Sequence, residues 1–425
     1  MSVIWEGIEY PLLMFEDMEL KFSDIAEQSP IDLSDIKKGD VVALIGDFDP
    51  SSLHTLLRLI DLGTIVLPLT TETKEQHDYF FESALVDVIL EQGIVKRRIH
   101  EDSHELIDSL RKKDHSGLVA FTSGTTGRPK AILHDFNLFL KRFETPRQSF
   151  RTLNFLMFDH VGGLNTLFHT LFSKGAVIAP RTRTVESILE ICEKYQVEVL
   201  PTTPTFLRIM LISGVVPMKI PTSLKIITYG TELMDQPTLE ELCKLLPNVD
   251  FRQTYGISEL GVFRVKSKAR NSLYMKIGGE GIETKVVDGV LKIRSKFCML
   301  GYLNTTSPFD ADGWYDTQDI VEEHEGYYKI LGRIGDVINV AGLKFMASEV
   351  ERVALTFPNI SLVKVYAKHN PITGQHVEMI IQPNKASEIN LKHFKEFLKE
   401  NFQSHMMPKR IHVETVAVSH RYKKM

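Results

Sequence analysis

Short apolar runs, each giving way to a helical stretch, leave this chain few architectures. Val41-Val-Ala-Leu-Ile-Gly46 reads as a buried strand ending in glycine, and Ser51 to Leu62 then carries helical spacing. Val185 to Tyr195 is helical, Val197 to Pro201 follows as a strand, Leu224 to Tyr229 is another strand, and Gln236 to Leu246 another helix. Such alternation buries sheets beneath helix layers, so an α/β fold with parallel-rich sheets is expected. Between Gly278 and Leu331 the texture changes to short strands broken by Val287-Asp-Gly-Val, Asp312-Gly-Trp and Glu325-Gly-Tyr, which predicts a β-rich subdomain. After about residue 335 a compact α+β pattern begins. There Ser348 is expected to cap a helix over Glu349 to Thr356. Strands at Ser361 to Ala367 and His376 to Gln382 follow, then a helix from Leu391 to Asn401 and a strand at Arg410 to Val416. The expected division is a large multi-subdomain N-terminal body, residues 1–334, and a small α+β C-terminal domain, residues 335–425.

Composition narrows the class of partner. The chain has 425 residues, 43% hydrophobic and 25% charged, which is ample apolar material for a core and excludes a disordered class. A formal charge of −5 implies no broad basic surface, so no nucleic-acid partner is expected. Cys192, Cys243 and Cys298 lie far apart without CxxC spacing, and a reducing compartment fits them. The start, MSVIWEGIEY, lacks the basic-then-apolar pattern of a signal peptide. The most apolar stretch, Val197 to Met218, is interrupted by Glu198, Pro201, Pro204, Arg208 and Pro217, so it reads as buried strand and helix, with no membrane span. The expected location is cytoplasmic. His134, His160 and His169 have no acids at ligand spacing, so no structural zinc is expected, and the 14 methionines read as core filler.

One segment carries chemistry most openly: Leu118-Val-Ala-Phe-Thr-Ser-Gly-Thr-Thr-Gly-Arg-Pro-Lys130-Ala-Ile-Leu-His134. An apolar strand feeds a loop of hydroxyls and glycines, then Arg-Pro-Lys, then a second apolar strand. Glycines let backbone N–H groups turn towards an anion while hydroxyls and a cation add donors, so the loop can cradle phosphates. It is not a Walker P-loop, because the spacing to the lysine differs and no Ser or Thr follows it.

This loop resembles the signature of the adenylate-forming superfamily, which holds acyl- and aryl-CoA synthetases, peptide-synthetase adenylation domains and firefly luciferase. Further resemblances recur in order: Asp159-His160-Val-Gly-Gly163, Tyr229-Gly230-Thr231-Glu232, Thr254-Tyr255-Gly256-Ile257-Ser258-Glu259 and Gly313-Trp314-Tyr-Asp-Thr317-Gln318-Asp319. The last is Gly332-Arg333-Ile-Gly-Asp336-Val-Ile-Asn-Val-Ala-Gly342-Leu-Lys344, closing with Glu349-Val-Glu351. The resemblance implies ATP-dependent conversion of a small carboxylic acid to an acyl-adenylate with release of pyrophosphate, then displacement of AMP by a thiol. Such a reaction is governed by positioning and by charge on the phosphates. It implies that Thr122, Ser123, Gly124, Thr125, Thr126, Gly127 and Lys130 hold the β- and γ-phosphates of ATP. By the same resemblance Glu259 coordinates Mg²⁺, an oxygen-ligand role, and Ser258 contacts the α-phosphate. Gly230, Thr231, Glu232, Thr254, Tyr255 and Gly256 would form the adenine pocket, with Tyr255 stacked on the base. Asp319 would accept the ribose hydroxyls and Arg333 add a donor.

The resemblance also implies that the small domain is mobile and brings a C-terminal lysine into the site. Aligned from Val413-Glu414, Lys423 takes that position and Lys424 is the competitor. Gln318 replaces the usual glycine of its motif, a change expected to be tolerated with a negative φ. Gly335 occupies the hinge position and leaves rotation free. Gly342 stands where a thiol arm would pass and Lys344 where a cation can face a phosphate, which favours a thioester-forming second step. The implied acceptor is coenzyme A, or alternatively the phosphopantetheine arm of an acyl or peptidyl carrier protein. A non-catalytic nucleotide-binding relative is a third reading. The acyl pocket is expected from 159–165, 202–206, 227–232 and 253–256, with His160 catalytic in acyl- and aryl-CoA ligases or, in the alternative alignment, Asp159 pairing with a substrate ammonium. The phosphate loop begins by residue 121, which predicts a shortened N-terminal body and either a more open acyl side or a partner that covers it.

Overall fold

The computed structural model describes residues 9–28, 31–100, 102–122, 127–384, 389–419 and 423–424. A seven-stranded sheet runs in the order Asp250–Gln253, Ile226–Tyr229, Val199–Thr202, Arg151–Leu153, Ala176–Ala179, Leu13–Phe15, Met18–Leu20. All its pairings are parallel except the last. A second seven-stranded sheet runs Gly301–Tyr302, Ala131–Asp135, Gly117–Phe121, Ile65–Leu69, Val41–Ile45, Val88–Glu91, Ile94–Arg97, with a parallel centre and antiparallel margins. The central strands are buried along their whole length, as parallel strands covered on both faces must be.

Helices Pro50–Leu62 and Val161–Phe172 share one apolar core with both sheets. The outer face of the first sheet packs on Val185–Lys194, Pro204–Ile212 and Gln236–Leu245. Local chemistry starts each of these helices. Thr184, Thr203 and Asp235 accept hydrogen bonds from the backbone of Ser187, Phe206 and Thr238, satisfying amides that the first turn leaves free. Asp49 does the same for Pro50–Leu62, and Gly63 ends that helix at φ 76°.

The β-rich region is a six-stranded antiparallel sheet ordered Arg264–Ser267, Met275–Gly278, Tyr327–Arg333, Tyr315–His324, Val290–Ser295, Ile282–Val287. Beyond it, Leu343–Met346, Val337–Val340, Gly374–Pro383, Ile360–Asn370 and Arg410–Val413 make a five-stranded sheet, packed on helices Ala347–Ala354 and Leu391–Asn401. The helix expected from Glu349 begins earlier, and Met346 stands at its cap without a side-chain bond. Ser348 is drawn elsewhere, because its hydroxyl donates to Leu331 O at 2.8 Å across the chain. Among the described residues no helix is long and apolar enough to cross a membrane.

Candidate active site

The phosphate-loop strands Gly117–Phe121 and Ala131–Asp135 pair antiparallel, and the loop mouth is closed by reciprocal bonds. Thr122 N–H donates to Lys130 O at 3.2 Å, and Lys130 N–H to Thr122 Oγ1 at 3.1 Å. Ser123, Gly124, Thr125 and Thr126 lie outside the described residues. The far limb is fastened by Tyr79, whose hydroxyl donates to Pro129 O at 2.8 Å, and by Asn304, which donates to the same carbonyl at 3.1 Å. A Cβ on Gly127 would meet nothing within 4 Å among the described residues.

Lys130 does not stand alone. Its ammonium lies 5.1 Å from the centre of the Tyr302 ring, within cation–π range. The Tyr302 hydroxyl donates to Glu259 Oε1 at 2.6 Å. Glu259 is 6% exposed, so a charged carboxylate is held in poor solvent and fixed by a donor. Tyr315 belongs to the same cluster, and burial followed by the Glu259 charge raises both phenols. The 254–259 segment is tied to the loop from beneath. His134 Nε2 sits 2.7 Å from Ser258 O, which makes Nε2 the protonated nitrogen, and burial drops this imidazole to about 4. Met299 N–H donates to Glu259 O at 2.7 Å, while Leu300 and Leu303 donate to the loop strand.

At the carboxyl ends of three neighbouring parallel strands, Thr202, Tyr229 and Gln253 stand in register, the edge where such sheets bind ligands. Thr202 Oγ1, the Tyr229 hydroxyl and Gln253 Oε1 are buried without hydrogen-bond partners among the described residues. Just beyond, a Cβ on Gly230 would come 2.1 Å from Thr254 Oγ1, so only glycine fits. Thr254 itself is pinned by N–H and hydroxyl bonds to Tyr229 O at 2.7 and 3.1 Å. Thr231 takes φ 70°, which turns the chain so that Glu232 Oε2 can accept Thr205 N–H at 3.2 Å. Gly256 starts the short strand that pairs with Gly261–Val262.

Asp319 and Arg333 face each other across the pairing of Tyr315–His324 with Tyr327–Arg333. Arg333 Nε donates to Asp319 Oδ1 at 3.1 Å, and the Tyr255 hydroxyl to Oδ2 at 2.5 Å. Burial pushes the Asp319 carboxyl up, against the pull of Arg333. Both oxygens keep a further lone pair for hydroxyl donors. One face of the Tyr255 ring is laid on Phe263, centroids 6.0 Å apart and 20° from parallel. Gln318, between Thr317 and Asp319, has φ 59°, so the expected negative angle is wrong. Its position needs the left-handed region, and Gln318 N–H bonded to Asp316 Oδ1 at 2.8 Å helps to hold it there.

His160 caps helix Val161–Phe172, its Nδ1 accepting Gly162 N–H at 3.0 Å. Asp159 beside it is 7% exposed. Gly342 and Lys344 are exposed on the hairpin of Val337–Val340 and Leu343–Met346, where Gly342 N–H donates to Asn339 Oδ1 at 3.0 Å. Gly335 lies in the single turn Ile334–Asp336 that leads into that hairpin. Lys423 is held by its backbone, whose N–H donates to Ser419 Oγ at 3.2 Å and whose carbonyl accepts Ser419 N–H at 2.8 Å. Sequence reading missed Tyr302, Tyr315 and His134, while Gln253 was expected only as part of the acyl-pocket segment 253–256.

Similarity to known proteins extends over the same elements. A family model, AMP-binding enzyme, matches residues 32–303, more than half of the chain. The chain is 25% identical over 330 residues to 4-coumarate-CoA ligase 1 of Narcissus pseudonarcissus, covering 69% of this chain and 60% of that protein's length. It is 24% identical over 426 residues to 2-succinylbenzoate–CoA ligase of Bacillus velezensis, covering 88% and 86% of the two chains. Its fold superposes on ATP-bound MatB from Rhodopseudomonas palustris with a TM-score of 0.80 at 19% identity, over 99% of this chain and 95% of that one.

Proposed function

Because the chain belongs to the AMP-binding enzyme family, we propose that it is an acid–thiol ligase that works in two steps. A carboxylate oxygen attacks the α-phosphorus of ATP, the Pα–O–Pβ bond breaks, and pyrophosphate leaves an acyl-adenylate. The thiol of coenzyme A then attacks the acyl carbon and AMP departs. The observation that carries this reading is the buried Glu259 carboxylate, bonded to Tyr302 beneath the Lys130 ammonium at the mouth of the phosphate loop.

Thr122, Ser123, Gly124, Thr125, Thr126, Gly127 and Lys130 hold the β- and γ-phosphates, and Ser258 faces the α-phosphate. A single buried carboxylate beside a phosphate site fits Mg²⁺, which takes one or two carboxylates together with substrate phosphate oxygens. Held there by Glu259, the ion would offset charge on the departing pyrophosphate. Adenine lies between Tyr255 and the segment Gly230 to Glu232, where Gln253 Oε1 is a buried acceptor for its amine. Asp319 accepts the ribose hydroxyls while Arg333 holds that carboxylate in place. Lys423 supplies the cation that the attacking carboxylate and α-phosphate share in the first step. Residues 335–425 act as the mobile domain, turning about Gly335 to bring Gly342 and Lys344 to the thiol arm. His160 and the ends of the parallel strands line the acyl side. The phosphopantetheine arm of a carrier protein presents the same thiol chemistry as coenzyme A. Three free cysteines fit a cytoplasmic setting.

The test is product analysis with ATP, Mg²⁺, coenzyme A and a panel of acids: 4-coumarate, 2-succinylbenzoate, benzoate, acetate and phenylalanine. AMP, pyrophosphate and an acyl-CoA in equal amounts are expected for a carboxylic acid. Formation of ADP and phosphate instead would overturn the reading.

A further inference from the structure

Lys424 is built into both parts of the molecule. Lys424 Nζ donates to Glu351 Oε2 at 2.7 Å and to Val363 O at 3.3 Å, both in the unit formed by the five-stranded sheet and its helices. Its backbone N–H instead donates to Glu232 Oε1 at 2.8 Å, in the segment that follows strand Ile226–Tyr229. One residue thus joins the nucleotide-side segment to the C-terminal unit, with its side chain on one and its backbone on the other.

Both acids are fixed independently of the lysine. Glu351 Oε1 accepts Val365 N–H at 2.9 Å, and Glu232 Oε2 accepts Thr205 N–H at 3.2 Å. The pair is partly shielded, with side-chain exposures of 28% for Lys424 and 18% for Glu351, so it counts for more than a surface ion pair. The tail also closes on itself. Val418 bridges Lys424, and Ser419 exchanges bonds with Lys423. Arg208 braces the same approach from the body, donating to Ser361 O at 3.1 Å and to Ile360 O at 3.4 Å.

We propose that Lys424 is a positioning residue, whose double attachment to Glu351 and Glu232 fixes the tail so that Lys423 is presented to the nucleotide. This rests on the assignment of Lys423 as the lysine of the adenylation step. Lys424 is excluded from that part here because its ammonium is turned to Glu351 and Val363. The device belongs to one arrangement of the two units. When the C-terminal unit turns away for thiol attack, the bond to Glu232 is lost while the ion pair to Glu351 travels with the unit.

The test uses ATP–pyrophosphate exchange by the full chain with the acid that gives the fastest turnover in the panel above. Lys424→Ala and Glu351→Gln are expected to lower kcat about tenfold while KM for ATP stays within about twofold, because a group displaced by an ångström costs rate rather than affinity. Lys424→Arg, which keeps the charge and its reach to Glu351, restores most of the rate. Attack of coenzyme A on preformed acyl-adenylate proceeds at the parent rate or faster in all three. The proposal is overturned if Lys424→Ala exchanges at the parent rate while Lys423→Ala is inactive. It is also overturned if Lys424→Ala is inactive and Lys423→Ala active, since Lys424 is then the adenylation lysine. Parent-like exchange by Lys423→Ala together with Lys424→Ala refutes the underlying assignment instead.

Discussion

Gln318 carries a side chain where the backbone asks for none. At φ 59° a β-carbon is strained by about 1–2 kcal/mol, and glycine would give back part of the difference through its freer unfolded chain. Gln318→Gly should therefore raise stability by about 0.5 kcal/mol, read as a shift in the urea midpoint, with adenylation unaltered. His134 makes the opposite kind of demand. Burial holds it at about 4, below the ordinary 6.5, so the unfolded chain takes up the proton first. Its contribution is complete above pH 6.5 and is lost as pH falls from there towards 4, about 2 kcal/mol of it by pH 5. His169, also held at about 4 by burial, adds in the same direction. Stability measured at pH 7 and pH 5 should show the loss. His134→Gln, which keeps an N–H for Ser258 O without titrating, should remove about half of it and leave the His169 part. A slope unchanged in His134→Gln would show that other groups carry the pH dependence.

At the scale of elements, what could be read in the sequence was what local chemistry decides. The parallel strands and their helices followed from apolar runs and spacing, and the loop 122–130 from glycines, hydroxyls and a lysine between two such runs. What escaped was chosen by distant partners. His134 and Ser258 lie 124 positions apart, and Tyr302 and Glu259 lie 43 apart, so no window on the sequence contains either bond. Ser348 looked like a cap because its helix begins beside it, yet its hydroxyl is taken by Leu331 in a neighbouring strand. Gly230 is a case in which the motif hinted at glycine and packing supplied the reason. Gly230→Ala forces the turn 229–232 away from Thr254. It should raise KM for ATP about tenfold with little change in kcat, since this turn would grip adenine equally in the ground state and the transition state. A fall in kcat at unchanged KM would place this turn in the chemical step instead.

Over the whole molecule, two α/β sheets share a helix layer, and Asp319 and Arg333 face each other across the six-stranded sheet. The five-stranded unit at the C-terminal end is joined to the segment after Ile226–Tyr229 by Lys424, and its hairpin with Gly342 and Lys344 is exposed. In the proposed two-step ligase the groups for the two half-reactions cannot serve the same phosphate and acyl carbon at once, so the C-terminal unit has to move between them. Acid-dependent exchange of pyrophosphate into ATP, without coenzyme A and with Lys423→Ala beside the parent chain, tests this most directly. The parent should exchange only when a carboxylic acid is present, and Lys423→Ala should lose exchange by at least about a hundredfold. Exchange that ignores the acid, or that survives unchanged in Lys423→Ala, would contradict the two-step assignment.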